Sequence, residues 1–293
     1  MRIVAAIAIL LAGCAGAVGS GPRAEYLGTF IWEPIGPGFG EFSGLDMQDG
    51  EEFVTVSDIG RIAAGRFRRN AGGRIAGVEL ETGLLMLRDS DGEVLRGPMR
   101  DAESVAVASD GRIFVAFEQV HRVWVYDRID GPARALPQHP DFRRFRRNQG
   151  IEAMAVTQDG ILLAVPELPP AGMNDHPVYR YRNGVWDVPF RLSRDWAFWP
   201  VGANIGPDGK FYLLERDYLP VLGFRSRVRR FALAKGDRLD GETLFTSDRG
   251  RHGNLEGLAV WRDAGGAIRL TMISDNNLWQ GVPTEIVEYR LRD

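Results

Sequence analysis

Beyond residue 24 the apolar positions fall into short runs broken by Gly, Asp and Asn, and no 3.6-residue helical spacing rises above them. Five runs share one frame: "FSGLDM" (Phe42–Met47), "DAESVAV" (Asp101–Val107), "GIEAMAV" (Gly150–Val156), "PVGANI" (Pro200–Ile205) and "NLEGLAV" (Asn254–Val260). A tight turn follows each, at Asp49-Gly50, Asp110-Gly111, Asp159-Gly160, Asp208-Gly209 and the looser Asp263–Gly266. Asp-Gly between apolar runs predicts a hairpin, because Gly accepts the positive φ of the turn. A second strand comes next in each repeat: "EFVTVSD", "RIFVAFE", "ILLAVPE", "KFYLLERD" and "IRLTMISD". A third follows: "RIAAGRF", "RVWVYD", "PVYRYR", "SRVRRFAL" and "TEIVEYRL". Weaker fourth strands include "VWDVPFRL" (Val185–Leu192) and "ETLFTS" (Glu242–Ser247).

The frame repeats about every 50 residues. Glu103 and Glu152 lie 49 apart, and the same step again reaches Val201. Four antiparallel strands per repeat predict an all-β fold, a β-propeller of five blades. The last repeat lacks a fourth strand, while "EYLGTFIW" (Glu25–Trp32) is a strand without a partner. It is expected to pair into the final blade and close the ring, removing an exposed edge. The segment Arg61–Arg100 holds more strand-like sequence than one blade needs, so six blades is the alternative. No linker interrupts residues 24–293, which reads as one domain.

The start of the chain has a different pattern. Met1-Arg2 is a minimal basic start, and Ile3–Leu11 is an apolar run too short to span a bilayer. It ends in Leu11-Ala12-Gly13-Cys14, similar to a bacterial lipobox, and Cys14 is the only cysteine. Residues 1–14 are therefore expected to be a lipoprotein signal peptide with lipidation at Cys14, and residues 15–23 a flexible tether. The expected location is the periplasmic side of the envelope, with the membrane only an attachment point. Hydrophobic residues make up 44% and charged residues 26%, which suits a folded globular chain. Net charge is −3 and only Lys210 and Lys235 are lysines, so nucleic acid is not an expected partner. The run Phe142–Arg147 reads as a solvated loop.

The chemistry lies in the frame itself. Glu103, Glu152 and Glu256 interrupt apolar first strands at one position, with Ser43 and Val201 in the other two repeats. First strands line a propeller's channel, so these acids should converge on one mouth. The antiparallel second strands return there, ending in Asp58, Glu118, Glu167, Glu215 with Asp217, and Asp275. Clustered carboxylates need positive compensation. A hard cation of the calcium type would take such oxygens, with Asn204, Asn254, Asn276 and Asn277 nearby. Arg61, Arg122, Arg216 and Arg251 follow the same strand ends and would pair with the acids. A purely structural role, each glutamate bonding backbone of the next blade, is the third possibility. The expected metal ligands are Asp58, Glu103, Glu152, Glu256 and Asp275. Glu118, Glu167 or Glu215 is the expected general base, and His121, Arg122 and Arg216 are expected to contact substrate, with His252 a further candidate. The aromatic "DWAFWP" (Asp195–Pro200) either walls a pocket or packs between blades. No G-x-S-x-G, H-E-x-x-H or Gly-rich phosphate loop occurs.

Taken in order, "FSGLDM", "TVSDIGR", "DAESVAV", "FEQVHRVWVY", "GIEAMAV", "PVYRY", "PVGANIGPDGKFYLLERD", "SRVRRF", "NLEGLAVWRD", "LTMISDNN" and "TEIVEYRL" resemble the bacterial phytase-like family, described as "esterase-like activity of phytase". The resemblance spans about Phe42 to Leu291. It implies an exported propeller and a phosphoester or carboxylester hydrolase, and carries over no catalytic residue set. The chain lacks the dense lysine and aspartate pattern expected of a phytate binder. The leading expectation is a monomeric, metal-assisted hydrolase of a small ester or phosphoester. A gluconolactonase-like lactone hydrolase and a non-catalytic propeller binding an envelope partner are the alternatives.

Overall fold

The computed structural model describes residues 23–233, 237–277 and 281–292. Cys14 and residues 15–22 of the expected tether lie outside them. Five antiparallel sheets form a five-bladed β-propeller. Blade 1 comprises Phe42–Met47, Glu52–Ser57, Arg61–Arg69 and Ile75–Leu80; blade 2 comprises Ala102–Val107, Ile113–Phe117, Arg122–Tyr126 and Ala133–Ala135. Blade 3 comprises Ile151–Val156, Leu162–Pro166, His176–Arg182 and Val185–Leu192; blade 4 comprises Trp199–Ile205, Phe211–Leu219, Gly223–Phe231 and Glu242–Thr246. Blade 5 comprises Asn254–Arg262, Ile268–Asp275 and Thr284–Leu291, and its outer strand is Ala24–Trp32, paired antiparallel to Thr284–Leu291. The N-terminal strand thus closes the ring, as its unpartnered pattern predicts.

The surplus sequence in Arg61–Arg100 does not make a sixth blade. It forms the outer strand of blade 1, the short strand Leu85–Met86 on Arg61-Ile62, a bridge from Arg88 to Val94, and a 3-10 turn at Gly97–Met99. A second departure is Arg238–Leu239, which pairs in parallel with the outer strand of blade 3 and ties blade 4's loop to its neighbour. In the basic run, Phe142 is buried against Tyr179 and Trp186 while the arginines stay outside, so the loop is pinned by its aromatic.

Among the described residues the core is divided. One apolar cluster lies between each pair of neighbouring blades. The closing strand contributes Trp32, stacked on Phe42 at 5.0 Å between blades 5 and 1. Burying such a side chain is worth about 1.5–3 kcal/mol. The five hairpin glycines, Gly50, Gly111, Gly160, Gly209 and Gly266, all have positive φ, between 72° and 88°.

The inner strands meet their neighbours around the axis so closely that side chains between them must be small. A Cβ on Gly44 would lie 2.8 Å from the Val105 nitrogen, and one on Gly257 would lie 2.7 Å from the Leu45 nitrogen. Ser104 and Ala153 occupy the same place in blades 2 and 3, and the Ser104 hydroxyl accepts the Met154 N–H. Far from the acidic mouth, Asp46 of blade 1 accepts from Asn204 of blade 4 at 3.1 Å, a bond between blades that are not neighbours in the ring. Burial raises the Asp46 carboxyl to about 6.

Candidate functional site

Each inner strand carries a register break against the second strand, and it falls at one position of the repeat. The skipped residues are Ser43, Glu103, Glu152, Val201 and Glu256. The acid in each apolar run is therefore a bulge residue. A bulge re-aims a side chain out of the alternation of the strand, and here it leaves Glu103, Glu152 and Glu256 interacting with acids from other blades.

The register defines two further positions per blade. Two residues before the bulge stand Glu41, Asp101, Gly150, Trp199 and Asn254. Directly across, at the end of the second strand, stand Asp58, Glu118, Glu167, Arg216 and Asp275. Blade 2 is acidic at all three positions. One carboxylate oxygen from each of Asp101, Glu103 and Glu118 lies within 4.8 Å of the others. Blade 4 is acidic at none, having Trp199, Val201 and Arg216.

Arg216 is the cation of the mouth. It donates to Glu167 at 2.9 Å, to Asn254 at 2.8 Å and to Glu256, and approaches Glu152 to 3.9 Å. Burial works against its charge, but Glu256, Glu152 and Glu167 hold its pKa above the usual value. Glu152 and Glu167 of blade 3 and Glu256 of blade 5 are thus gathered on one guanidinium. Those of blades 2 and 1 are not: among the described residues, Asp101, Glu103, Glu118, Glu41 and Asp58 make no ion pair. Burial, then repulsion from Glu152 and Glu118, raises Glu103 well above the usual carboxylate range. Burial raises Glu118 to about 8, opposed by the Gly150 N–H at 2.7 Å. Asp58 is pushed to about 10 by burial and by Glu41 beside it. Even with Arg216 opposing, burial leaves Glu256 at about 8.

Of the residues singled out by sequence, Asp58, Glu103, Glu118, Glu152, Glu167, Glu256, Asp275 and Arg216 come together here. Glu215 does not. It sits one residue earlier, on the opposite face of the strand, buried between Arg227 at 2.9 Å and Arg229 at 2.6 Å. Arg122 is also elsewhere: it donates to the carbonyls of Val120 and Met99 and lies over the Phe117 ring at 3.9 Å. Burial lowers its pKa to about 10. His121 is on the rim, its Nε2 on the Arg146 carbonyl at 2.9 Å and its Nδ1 close to Gly150. Burial lowers its pKa. His252 is buried against Tyr289 at 2.8 Å, and burial holds its pKa near 4. Asn254 and Asn277 border the mouth, whereas Asn204 is at the far end. Sequence reasoning missed Asp101 and Glu41. Their signal was the spacing of two from the bulge residue, which puts both on one end of the strand.

Beside Arg216 a cavity of about 710 Å3 opens between blades 4 and 5, lined by Trp196, Trp199, Tyr218, Phe224, Arg225 and Arg249 among others. The "DWAFWP" segment divides: Trp196 and Trp199 wall this cavity, while Phe198 is buried beneath the Arg227 guanidinium.

A five-bladed propeller with a carboxylate-lined mouth is the class this geometry defines. The phytase-like family model, described as "esterase-like activity of phytase", matches residues 37–278, and the chain belongs to that family. No curated protein matches it. Among solved structures, it is similar to an α-L-arabinofuranosidase from Podospora anserina in complex with cellotriose, at 9% identity, 93% of this chain, 97% of that one and a TM-score of 0.54. It is also similar to a putative gluconolactonase (13% identity, 93% and 94% coverage, TM-score 0.49). A PQQ-bound aldose sugar dehydrogenase from Streptomyces coelicolor is a third (15% identity, 92% and 100% coverage, TM-score 0.46). At these identities the likeness concerns the fold alone.

Proposed function

We propose that the protein is a divalent-cation-assisted hydrolase of a small ester or phosphoester, with the cation held by Asp101, Glu103 and Glu118. The observation that carries this is the blade 2 triad, three carboxylates at the three mouth positions of one blade that make no ion pair among the described residues. Its donors fit a hard cation: all are carboxylate oxygens, the set calcium or magnesium prefers. Glu118 uses one oxygen on Gly150, Asp101 one on Gln119, and Glu103 accepts no hydrogen bond from the described residues. Such a cation, when bound, polarises an ester oxygen and lowers the pKa of water.

The rest falls to the chain. Arg216 locks Glu167 and Glu256 in place. Glu152 approaches Arg216 only to 3.9 Å, and burial with repulsion from Glu167 raises its pKa well above the usual carboxylate range, so it is positioned to give a proton to the leaving group. The family description supports an ester bond as the target. Export and lipid anchoring at Cys14 belong to the same proposal and rest on the sequence of residues 1–14.

The test is a panel of 4-nitrophenyl acetate, 4-nitrophenyl phosphate and gluconolactone, assayed after chelation and after calcium or magnesium is restored. The proposal expects turnover of an ester that chelation abolishes, the cation restores and Glu103→Gln lacks. Turnover indifferent to chelation, or none with any cation, would overturn it.

A further inference from the structure

The cavity beside Arg216 has a composition unlike the mouth. We infer that it is the recognition pocket for the substrate's non-reacting part, a flat ring bearing an anionic group. This rests on the hydrolase reading for its role and on the geometry of blade 4 for its chemistry.

The pocket lies beside the long second hairpin of blade 4. Its second and third strands, Phe211–Leu219 and Gly223–Phe231, run nine residues each, against five for Ile113–Phe117 and Leu162–Pro166. The extra residues carry the hairpin past the mouth and raise a wall beside it. That wall is aromatic where water would favour polar groups. Trp196 is 68% exposed and Tyr218 47% exposed, with Tyr218 stacked on Phe224 at 4.6 Å. The chain accepts strain to place the hairpin: Val221, at its tip, is β-branched yet has φ of 73°. Exposed aromatics around one concavity mark a ligand surface, and their faces take a flat ring.

Charge supplies the second half of the argument. Arg225 and Arg249 both close on the single carboxylate of Asp217, at 2.7 Å for Arg225. Two guanidiniums on one acid leave positive charge in excess, while the mouth next door has acids in excess of Arg216. The Arg225 Nε is buried without a protein partner. An anionic substituent would find its favourable potential on this side and its repulsion on the other, which orients the substrate. The volume suits a small ring compound.

The probe is 1-naphthyl phosphate, with glycerol 2-phosphate (no ring) and 1-naphthol (no anion) as comparisons. Binding is read by tryptophan fluorescence in calcium-containing buffer, for the wild-type protein, Trp196→Ala and Arg225→Gln. Both side chains are partly exposed, so both variants should fold. Expected is binding of 1-naphthyl phosphate tighter than either comparison, weakened about tenfold by Trp196→Ala. Arg225→Gln should weaken 1-naphthyl phosphate and leave 1-naphthol unchanged. Equal binding of 1-naphthyl phosphate and glycerol 2-phosphate, or a Trp196→Ala variant that binds like wild type, overturns the pocket. Hydrolysis is scored separately on 4-acetoxybenzoate, whose ring carboxylate is distinct from its ester, as water added across the acyl C–O bond to give 4-hydroxybenzoate and acetate. Ring- and anion-dependent binding without release of 4-hydroxybenzoate supports the pocket and counts against the hydrolase reading alone.

Discussion

The two sides of the mouth solve one electrostatic problem differently. On the side of blades 3 and 5, Glu152, Glu167 and Glu256 share Arg216, and the compensating charge is part of the fold. On the side of blade 2, Asp101, Glu103 and Glu118 make no ion pair with a guanidinium among the described residues. The difference is a single substitution in the repeat: at the end of the second strand, blade 4 has arginine where the other blades have a carboxylate. A built-in cation makes its side structural and insensitive to solution ions. The side without one is either protonated or occupied by a cation from solution.

Removing the built-in cation should have the largest effect. Arg216→Met leaves three buried carboxylates unpaired, and breaking a buried pair costs about 3–5 kcal/mol. Urea denaturation at pH 8 should show this loss, and at pH 5 a smaller one, because the orphaned acids then protonate. An equal loss at both pH values would separate Arg216 from the acids. Gly202→Ala comes next. Its Cβ would collide with the Glu256 carbonyl, so overpacking between inner strands should cost about 1–3 kcal/mol without changing any charge. A neutral result in thermal melts would mean the ring has more slack than these contacts allow.

The metal-free protein should also respond to pH. Glu118 and Asp58 have folded pKa values above their unfolded ones, so the native state binds more protons than the unfolded state. Their contribution is fully present below about pH 4 and is lost as pH rises through about 8 for Glu118 and about 10 for Asp58. Melting temperature in chelator should fall from pH 5 to pH 8, and saturating calcium should flatten the slope. The smallest effect distinguishes the sides directly. At pH 8 in chelator, Glu103→Gln removes a buried carboxyl whose ionisation burial and its neighbours oppose, and should raise the melting temperature by about 2 °C. Glu152→Gln forfeits an arginine contact and should bring no rise.

Much of this was readable in the chain. An acid inside an apolar strand, repeated in frame, marked the bulge of blades 2, 3 and 5, and the Asp-Gly pairs marked the hairpins. The homeless strand Glu25–Trp32 marked the closure. What escaped was parity. In "LLERD" two acids flank Arg216, and matching by charge selects Glu215, whereas matching by register selects Arg216. A shift of one residue sends a strand side chain to the other face, so Glu215 went to a buried pair with Arg227 and Arg229. Arg122 misled for a related reason: it opens the third strand and turns onto Phe117 and Trp124. Asp101 and Glu41 precede their strands and became visible only when pairing set them opposite Glu118 and Asp58.

The central claim is that the uncompensated side of the mouth, and not the Arg216 side, holds a cation. Isothermal titration of calcium into chelator-treated wild-type protein, Glu103→Gln and Glu152→Gln tests it most directly. The account predicts a saturable site in the wild type, retained in Glu152→Gln and lost in Glu103→Gln. No binding in the wild type, or binding lost in Glu152→Gln and kept in Glu103→Gln, would contradict it.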